Sequence, residues 1–239
     1  GGNLAGGKIF FTSSEGSKTD LLNLSQRQMR NIRGNEIGMI FQEPMTALNP
    51  VFTIERQLTE GLIVHKKISK RKARIEALEL LRLVRIPEPE RRMRQFPHEL
   101  SGGMRQRVVI AMALACKPRL LIADEPTTAL DVTIQAEILA LINRLKSETD
   151  AAILFITHDM AVVAQMADRV VVMHDGKKKE EGTVHEIFKN PQHDYTKALL
   201  AAVPKLGEMA SKRYPEPMRL VGEKKSEALK PIIGTNEPL

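Results

Sequence analysis

The sequence predicts an α/β protein, with a parallel or mixed sheet covered on both faces and interrupted by an inserted helical block. Nearly all-apolar runs at 36–41, 120–123, 152–157 and 169–173 have the composition of strands buried on both sides. Amphipathic stretches alternate with them, the pattern of helical crossovers. Between 53 and 94 the alternation stops and only helical periodicity remains.

Each element follows from local chemistry. Residues 8–12 (KIFFT) have strand character, 13–18 read as a turn, and 20–24 read as a second short strand. Residues 25–34 form a short polar helix that stops at Gly34. The apolar strand 36–41 ends at Gln42, and 46–50 is a loop. A helical pattern then runs from 53 to 84, with Ile75, Leu78 and Leu81 on one face, until the Pro- and Arg-rich stretch 86–97 breaks it. Ser101 opens a helix reaching Cys116. Strand 120–123 delivers Asp124 and Glu125, and helix 133–148 follows. Strand 152–157 ends at His158, and helix 159–166 leads to strand 169–173 and the turn His174-Asp175-Gly176. Beyond Pro204 the composition turns to Lys, Glu and Pro without periodicity, which reads as a linker or tail at 205–239.

Composition narrows the function classes. With 239 residues and 42% hydrophobic content the chain can build a core, yet no run approaches the roughly 18 apolar residues of a membrane span. If the protein serves a membrane, another chain supplies the spans. Aromatics are only 4% and Trp is absent, which argues against a base-stacking platform. The single Cys116 excludes an intrachain disulfide framework and reads as core packing in a reducing compartment. The net charge of +7 suits nucleic acid, an anionic membrane, a polyanionic small molecule or simply a solvated surface, and charge alone does not choose among them.

Chemistry concentrates in two stretches. Leu120-Leu121-Ile122-Ala123-Asp124-Glu125 is an apolar strand with two carboxylates at its C-terminal end, where α/β sheets hold ligands. One carboxylate can support Mg²⁺ and the other can polarise a water, although a strand followed by an acidic turn would read the same. Leu100-Ser101-Gly102-Gly103-Met104-Arg105-Gln106 puts Ser and Gly at a helix start, where free N–H groups and the dipole favour an anion.

Their order is more telling than either alone. Gln42 after a strand, 100–106, Asp124-Glu125, Thr128-Ala129-Leu130-Asp131 and His158 after a strand closely resemble the ATP-binding cassette family in its Q-loop, signature, Walker B, D-loop and switch histidine. The resemblance runs from about 6 to 204 and implies a P-loop NTPase-like cassette: ATPase core at 1–52 and 98–204, helical subdomain at 53–97. It implies ATP and Mg²⁺ as cofactors, with Asp124 and Gln42 at the metal, Glu125 as general base and His158 at the γ-phosphate. Ser101, Gly102, Gly103 and Gln106 belong to the signature that meets the partner cassette's nucleotide, and Asp131 crosses the dimer interface. Met104 departs from the family's usual Gln.

The stretches Phe41-Gln42-Glu43-Pro44-Met45-Thr46-Ala47-Leu48-Asn49-Pro50 and Asn190-Pro191-Gln192-His193-Asp194-Tyr195-Thr196 resemble peptide importers, above all the first cassette of glutathione and dipeptide importers; Asp194 replaces their Pro. The partners implied are a second cassette, transmembrane permease subunits and, indirectly, an external substrate-binding protein, at the cytoplasmic face of the membrane. No nucleic acid is expected.

One family element has no match. Nowhere does G-x-x-x-x-G-K-[S/T] occur: Ile9 follows Gly7-Lys8, and in Ser17-Lys18-Thr19 a Ser stands where the Gly before Lys should be. The expectation is a cassette lacking its N-terminal part, with negligible activity alone. The alternatives are a soluble cassette ATPase acting on DNA and a non-hydrolysing regulatory remnant.

Overall fold

A computed structural model of the chain describes residues 6–13, 16–128, 130–148 and 151–202, so the expected tail at 205–239 lies outside the described residues. The chain divides into two compact units, Gly1–His158 and Asp159–Leu239.

The first unit opens with β1 (Phe10–Thr12) and β2 (Lys18–Asp20), an antiparallel pair. The second strand comes earlier than the sequence suggests. Asp20 Oδ1 accepts from Leu22 N–H at 3.2 Å, so residues 21–23 curl into a 3₁₀ turn. Helix α1 (Gln26–Ile32) starts in a reciprocal cap between Ser25 and Gln28 and ends before Gly34, whose φ of +76° reverses the chain. Strand β3 (Ile37–Ile40) leads to a single helical turn, α2 (Pro44–Ala47), where a loop was expected; Pro44 at its first position favours helix initiation.

The long helical stretch divides in two, α3 (Ile54–Lys66) and α4 (Lys70–Leu83). The break is conformational: Lys67 adopts a left-handed φ of 52°, and Ser69 caps the next helix. Ile54, Leu58 and Leu62 of α3, and Ala73, Ala77 and Leu81 of α4, are all buried. Inside the expected break, 89–92 forms one turn, α5 (Pro89–Arg92).

Helix α6 (Gly102–Leu114) is almost wholly interior from Gln106 onward. It crosses β3 so closely that a Cβ on Gly38 would sit 2.4 Å from the Ala113 carbonyl oxygen. Strand β4 (Leu120–Asp124), helix α7 (Val132–Glu148) and strand β5 (Ala152–Ile156) complete the unit. The sheet is three-stranded and parallel, ordered β3-β4-β5. Ile40, Leu121 and Ala123 are buried on one face. On the opposite face Met39, Leu154 and Ile156 are exposed, the latter two at 50% and 45%, so among the described residues cover is one-sided and not two-sided as the sequence suggested. Arg107 links three helices: it donates to the Val84 carbonyl at 2.8 Å and pairs with Glu137 at 2.6 Å.

In the second unit Asp159 caps α8 (Met160–Met166), and β6 (Arg169–His174) and β7 (Lys177–Thr183) form an antiparallel hairpin. Asp175 and Gly176 both take positive φ, as a two-residue hairpin turn requires. Strand β7 (KKKEEGT) is too charged to be read as a strand from sequence; Arg169 and Lys178 each meet Glu181 at 3.1 Å across and along it. Helices α9 (Val184–Lys189) and α10 (Asp194–Ala201) follow, the latter capped by the His193 side chain.

Candidate functional site

The candidate site lies where β3, β4 and β5 end. Parallel strands deliver their following residues to one edge of the sheet, so Gln42, Glu125 and His158 become neighbours although 83 and 33 positions separate the first and last from Glu125. The Glu125 carboxylate is their meeting point. Its Oε2 accepts from Gln42 Nε2 and from Thr128 Oγ1, each at 2.9 Å, and its Oε1 lies 2.8 Å from His158 Nδ1. An ionised carboxylate only accepts, so Nδ1 carries the proton in this contact.

The His158 hydrogen bond, then that of Thr128 and, more weakly, that of Gln42 hold the Glu125 carboxyl below its ordinary pKa. Its side chain is 22% accessible, whereas that of His158 is 73% accessible. The carboxylate is therefore fenced but wetted, and the imidazole stands outermost. Glu125 also takes a left-handed φ of +43° while its N–H donates to the Ile156 carbonyl at 2.9 Å. A non-glycine residue held in that region beside polar partners is a local strain of the kind found at working sites.

Thr128 is the residue that the sequence reading missed as a partner of Glu125. Pro126 follows Glu125, and the turn closes when Thr128 N–H donates back to the Glu125 carbonyl at 3.3 Å. Only this turn puts the hydroxyl beside the carboxylate; a Thr three positions after Glu125, with Pro126 between, was the available signal.

The signature residues are not in contact with that cluster among the described residues. Ser101 caps α6, its Oγ accepting from Met104 N–H at 3.3 Å. A Cβ on Gly102 would meet nothing within 4 Å, but one on Gly103 would lie 2.9 Å from Ile134 Cγ2. Thus Gly102 borders open space, whereas Gly103 is required by packing of α6 on the start of α7. Gln106 does not reach the surface with them: it is 1% exposed and donates from Nε2 to the Pro126 carbonyl at 2.6 Å. It braces the Glu125 turn from within, a role the signature pattern did not suggest. Asp131 Oδ1 accepts from Ile134 N–H at 2.9 Å and so caps α7. Asp124 ends β4, partly buried, next to Glu125.

Residues 5–128 match the family described as "ABC transporter", and residues 180–226 match "Oligopeptide/dipeptide transporter, C-terminal region". The chain is 63% identical over 187 residues to the oligopeptide transport ATP-binding protein OppD of Bacillus subtilis, covering 78% of this chain and 52% of that protein. It is 54% identical over 223 residues to the glutathione import ATP-binding protein GsiA of Pectobacterium atrosepticum, covering 93% and 36%. The chain thus spans between about a third and about half of the length of these curated relatives. Among solved structures, a dimeric post-hydrolysis ATP-binding cassette, MJ0796, bound to ADP and Pi, superposes with a TM-score of 0.62 at 32% identity, covering 70% of each chain. With its carboxylate cluster at the strand ends and its family match over 5–128, the chain belongs to the ABC transporter family, in the branch that shares the oligopeptide/dipeptide C-terminal region.

Proposed function

We propose that the chain provides most of an ATP-hydrolysing cassette that energises import of di- or oligopeptides or of glutathione through partner permease subunits. The observation that carries this reading is the Glu125 carboxylate held between Gln42 and His158. Glu125 is ionised at neutral pH and can accept a proton from a water, and hydrogen bonds from Gln42, Thr128 and His158 fix its orientation. Gln42 spends its amide N–H on Glu125, which leaves its oxygen to face a metal or a water. His158 is the outermost of the three, and its exposure supports a role at a terminal phosphate oxygen.

The donor set suits Mg²⁺. Asp124 and Gln42 offer hard oxygen ligands, and among the described residues no group of three or more His, Cys, Asp or Glu gathers to bind a metal without help. That fits an ion coordinated largely by phosphate and water. Bound ATP with Mg²⁺ would supply the phosphoanhydride and neutralise its charge. The chain's own residues hold the base, orient it and brace its turn from Gln106. At the α6 start, Ser101, Gly102 and Gly103 open the helix, and Gly102 borders open space, an arrangement suited to the γ-phosphate of a second cassette, towards which Asp131 would also face.

In this reading 1–52 and 98–204 act as the ATPase core, 53–97 as the helical subdomain and 205–239 as a linker. The cassette sits at the cytoplasmic face of the membrane, held by permease subunits that an external binding protein loads. The relatives' names support peptide or glutathione cargo. No described helix is long and apolar enough to cross a membrane.

Because no G-x-x-x-x-G-K-[S/T] occurs in the 239 residues, this chain alone should release no phosphate from ATP above background. Calorimetry showing ordinary micromolar ATP binding with Mg²⁺ would overturn that expectation. In a cassette completed with a phosphate loop, Glu125→Gln should cut phosphate release by at least about 100-fold while retaining ATP binding. Unchanged turnover would remove Glu125 from the base role.

A further inference from the structure

Backbone bonds hold Glu125 from two sides. Its own N–H donates to the Ile156 carbonyl of β5 at 2.9 Å. The carbonyl of the next residue, Pro126, accepts from Gln106 Nε2 of α6 at 2.6 Å. Between these bonds the turn is only weakly closed from within: Thr128 N–H reaches the Glu125 carbonyl at 3.3 Å, and Glu125 keeps its φ of +43°. A strained turn with a long closing bond needs an outside hold, and Gln106 supplies one. The Gln106 amide makes no other hydrogen bond among the described residues, and its Oε1 is buried without a partner. A Met of the same length would fill the space with no orphaned oxygen and would lack only the bond to Pro126.

Helix α6 is wedged near both ends. At its start a Cβ on Gly103 would lie 2.9 Å from Ile134 Cγ2 of α7, and at its end the Ala113 carbonyl oxygen lies 2.4 Å from where a Cβ on Gly38 of β3 would be. Contacts this close pass a displacement on and do not absorb it. Gln106 stands one helical turn beyond Gly102, so a shift of the signature turn at 101–103 carries the Gln106 amide with it.

We propose that Gln106 is a positioning residue that ties the signature turn at 101–103 to the Glu125 turn of the same chain, so that a group seated against the first changes how the second holds its carboxylate. The proposal rests on the roles proposed above for Glu125 and the signature residues, and it joins the two half-sites by one route: signature turn, Gln106 amide, Pro126 carbonyl, Glu125 backbone.

The test reads amide hydrogen exchange and the Pro126 carbonyl carbon shift by NMR on the isotope-labelled 239-residue chain in mildly acidic buffer. Gln106→Met removes the donor and keeps the volume. It should speed exchange of the Thr128 N–H at least about tenfold and move the Pro126 carbonyl carbon upfield, with the urea midpoint and the α6 amides near native. Gln106→Leu serves if Gln106→Met fails to fold. Gln106→Glu is the rescue: burial keeps the new carboxyl protonated, its O–H donates to the same carbonyl, and Thr128 exchange should return to within about twofold of native. Gly103→Ala pushes α6 away from α7. It should speed Thr128 exchange at least about fivefold when Gln106 is present and less than about twofold further in the Gln106→Met background. Unchanged Thr128 exchange in Gln106→Met overturns the proposal. So does equal acceleration by Gly103→Ala in both backgrounds, which shows that no coupling runs through Gln106. Faster exchange throughout α6, with no return in Gln106→Glu, also overturns it and leaves Gln106 a packing residue. None of these measurements reads ATP turnover, so they fail separately from the base assignment, which is decided by phosphate release in Glu125→Gln.

Discussion

His158 Nδ1 lies 2.8 Å from Glu125 Oε1, and this contact is the largest single influence holding the Glu125 carboxyl below its ordinary pKa. A carboxyl whose pKa is lower folded than unfolded adds stability above its unfolded pKa and loses it as pH falls through the folded value. The stability gap between the native chain and E125Q should therefore be widest near neutrality and close below about pH 4. Urea titrations at several pH values check this. A gap that widens in acid would contradict the assigned hydrogen bond.

Thr128 should act on the same carboxyl from the other oxygen. Thr128→Val removes the 2.9 Å hydroxyl bond and should raise the Glu125 pKa, while Thr128→Ser should leave it near the native value. Carbon-detected NMR titration of the Glu125 carboxyl reads both variants directly. Equal titration in all three chains would show that the hydroxyl contact is unimportant in solution.

The two signature glycines should separate in a stability measurement. Gly103→Ala pushes a methyl to within 2.9 Å of Ile134 Cγ2 and should destabilise the fold by about 1–3 kcal/mol. Gly102→Ala meets open space and should be neutral or stabilising by up to about 1 kcal/mol. Chemical denaturation of both variants provides the comparison, and equal losses would refute the packing account of Gly103.

Lys67 ends α3 with φ 52° and ψ 35°, a conformation that glycine adopts without side-chain crowding. Lys67→Gly should raise stability by about 0.5–1 kcal/mol, seen as a higher thermal midpoint.

The site was legible in sequence to the extent that it depends on strands. Gln42, Glu125 and His158 each follow an apolar run, and parallel pairing carries such positions to one edge. Contacts made by turns and interior side chains were hidden. Thr128 reaches Glu125 only through the turn at Pro126, and Gln106 looks like part of a surface motif until the roll of α6 turns it inward. In the fold, the split at Lys67 escaped notice because apolar periodicity continues on both sides of it. Strand β7 escaped because it is held by its backbone ladder to β6 and its charged residues show no apolar alternation. The expected two-sided cover came from reading apolar strands as fully buried, and Leu154 and Ile156 show that apolar composition does not guarantee it.

Among the described residues no strand pairs with the outer edge of β5, and its Leu154 and Ile156 are exposed on the sheet face beside that edge. Such an edge is a template for any extended chain that drifts past, including another molecule of the same kind. Handling of the purified chain should therefore be governed by concentration more than by temperature. Light scattering would rise with protein concentration well below the thermal midpoint, and a single Lys at position 154 would suppress it.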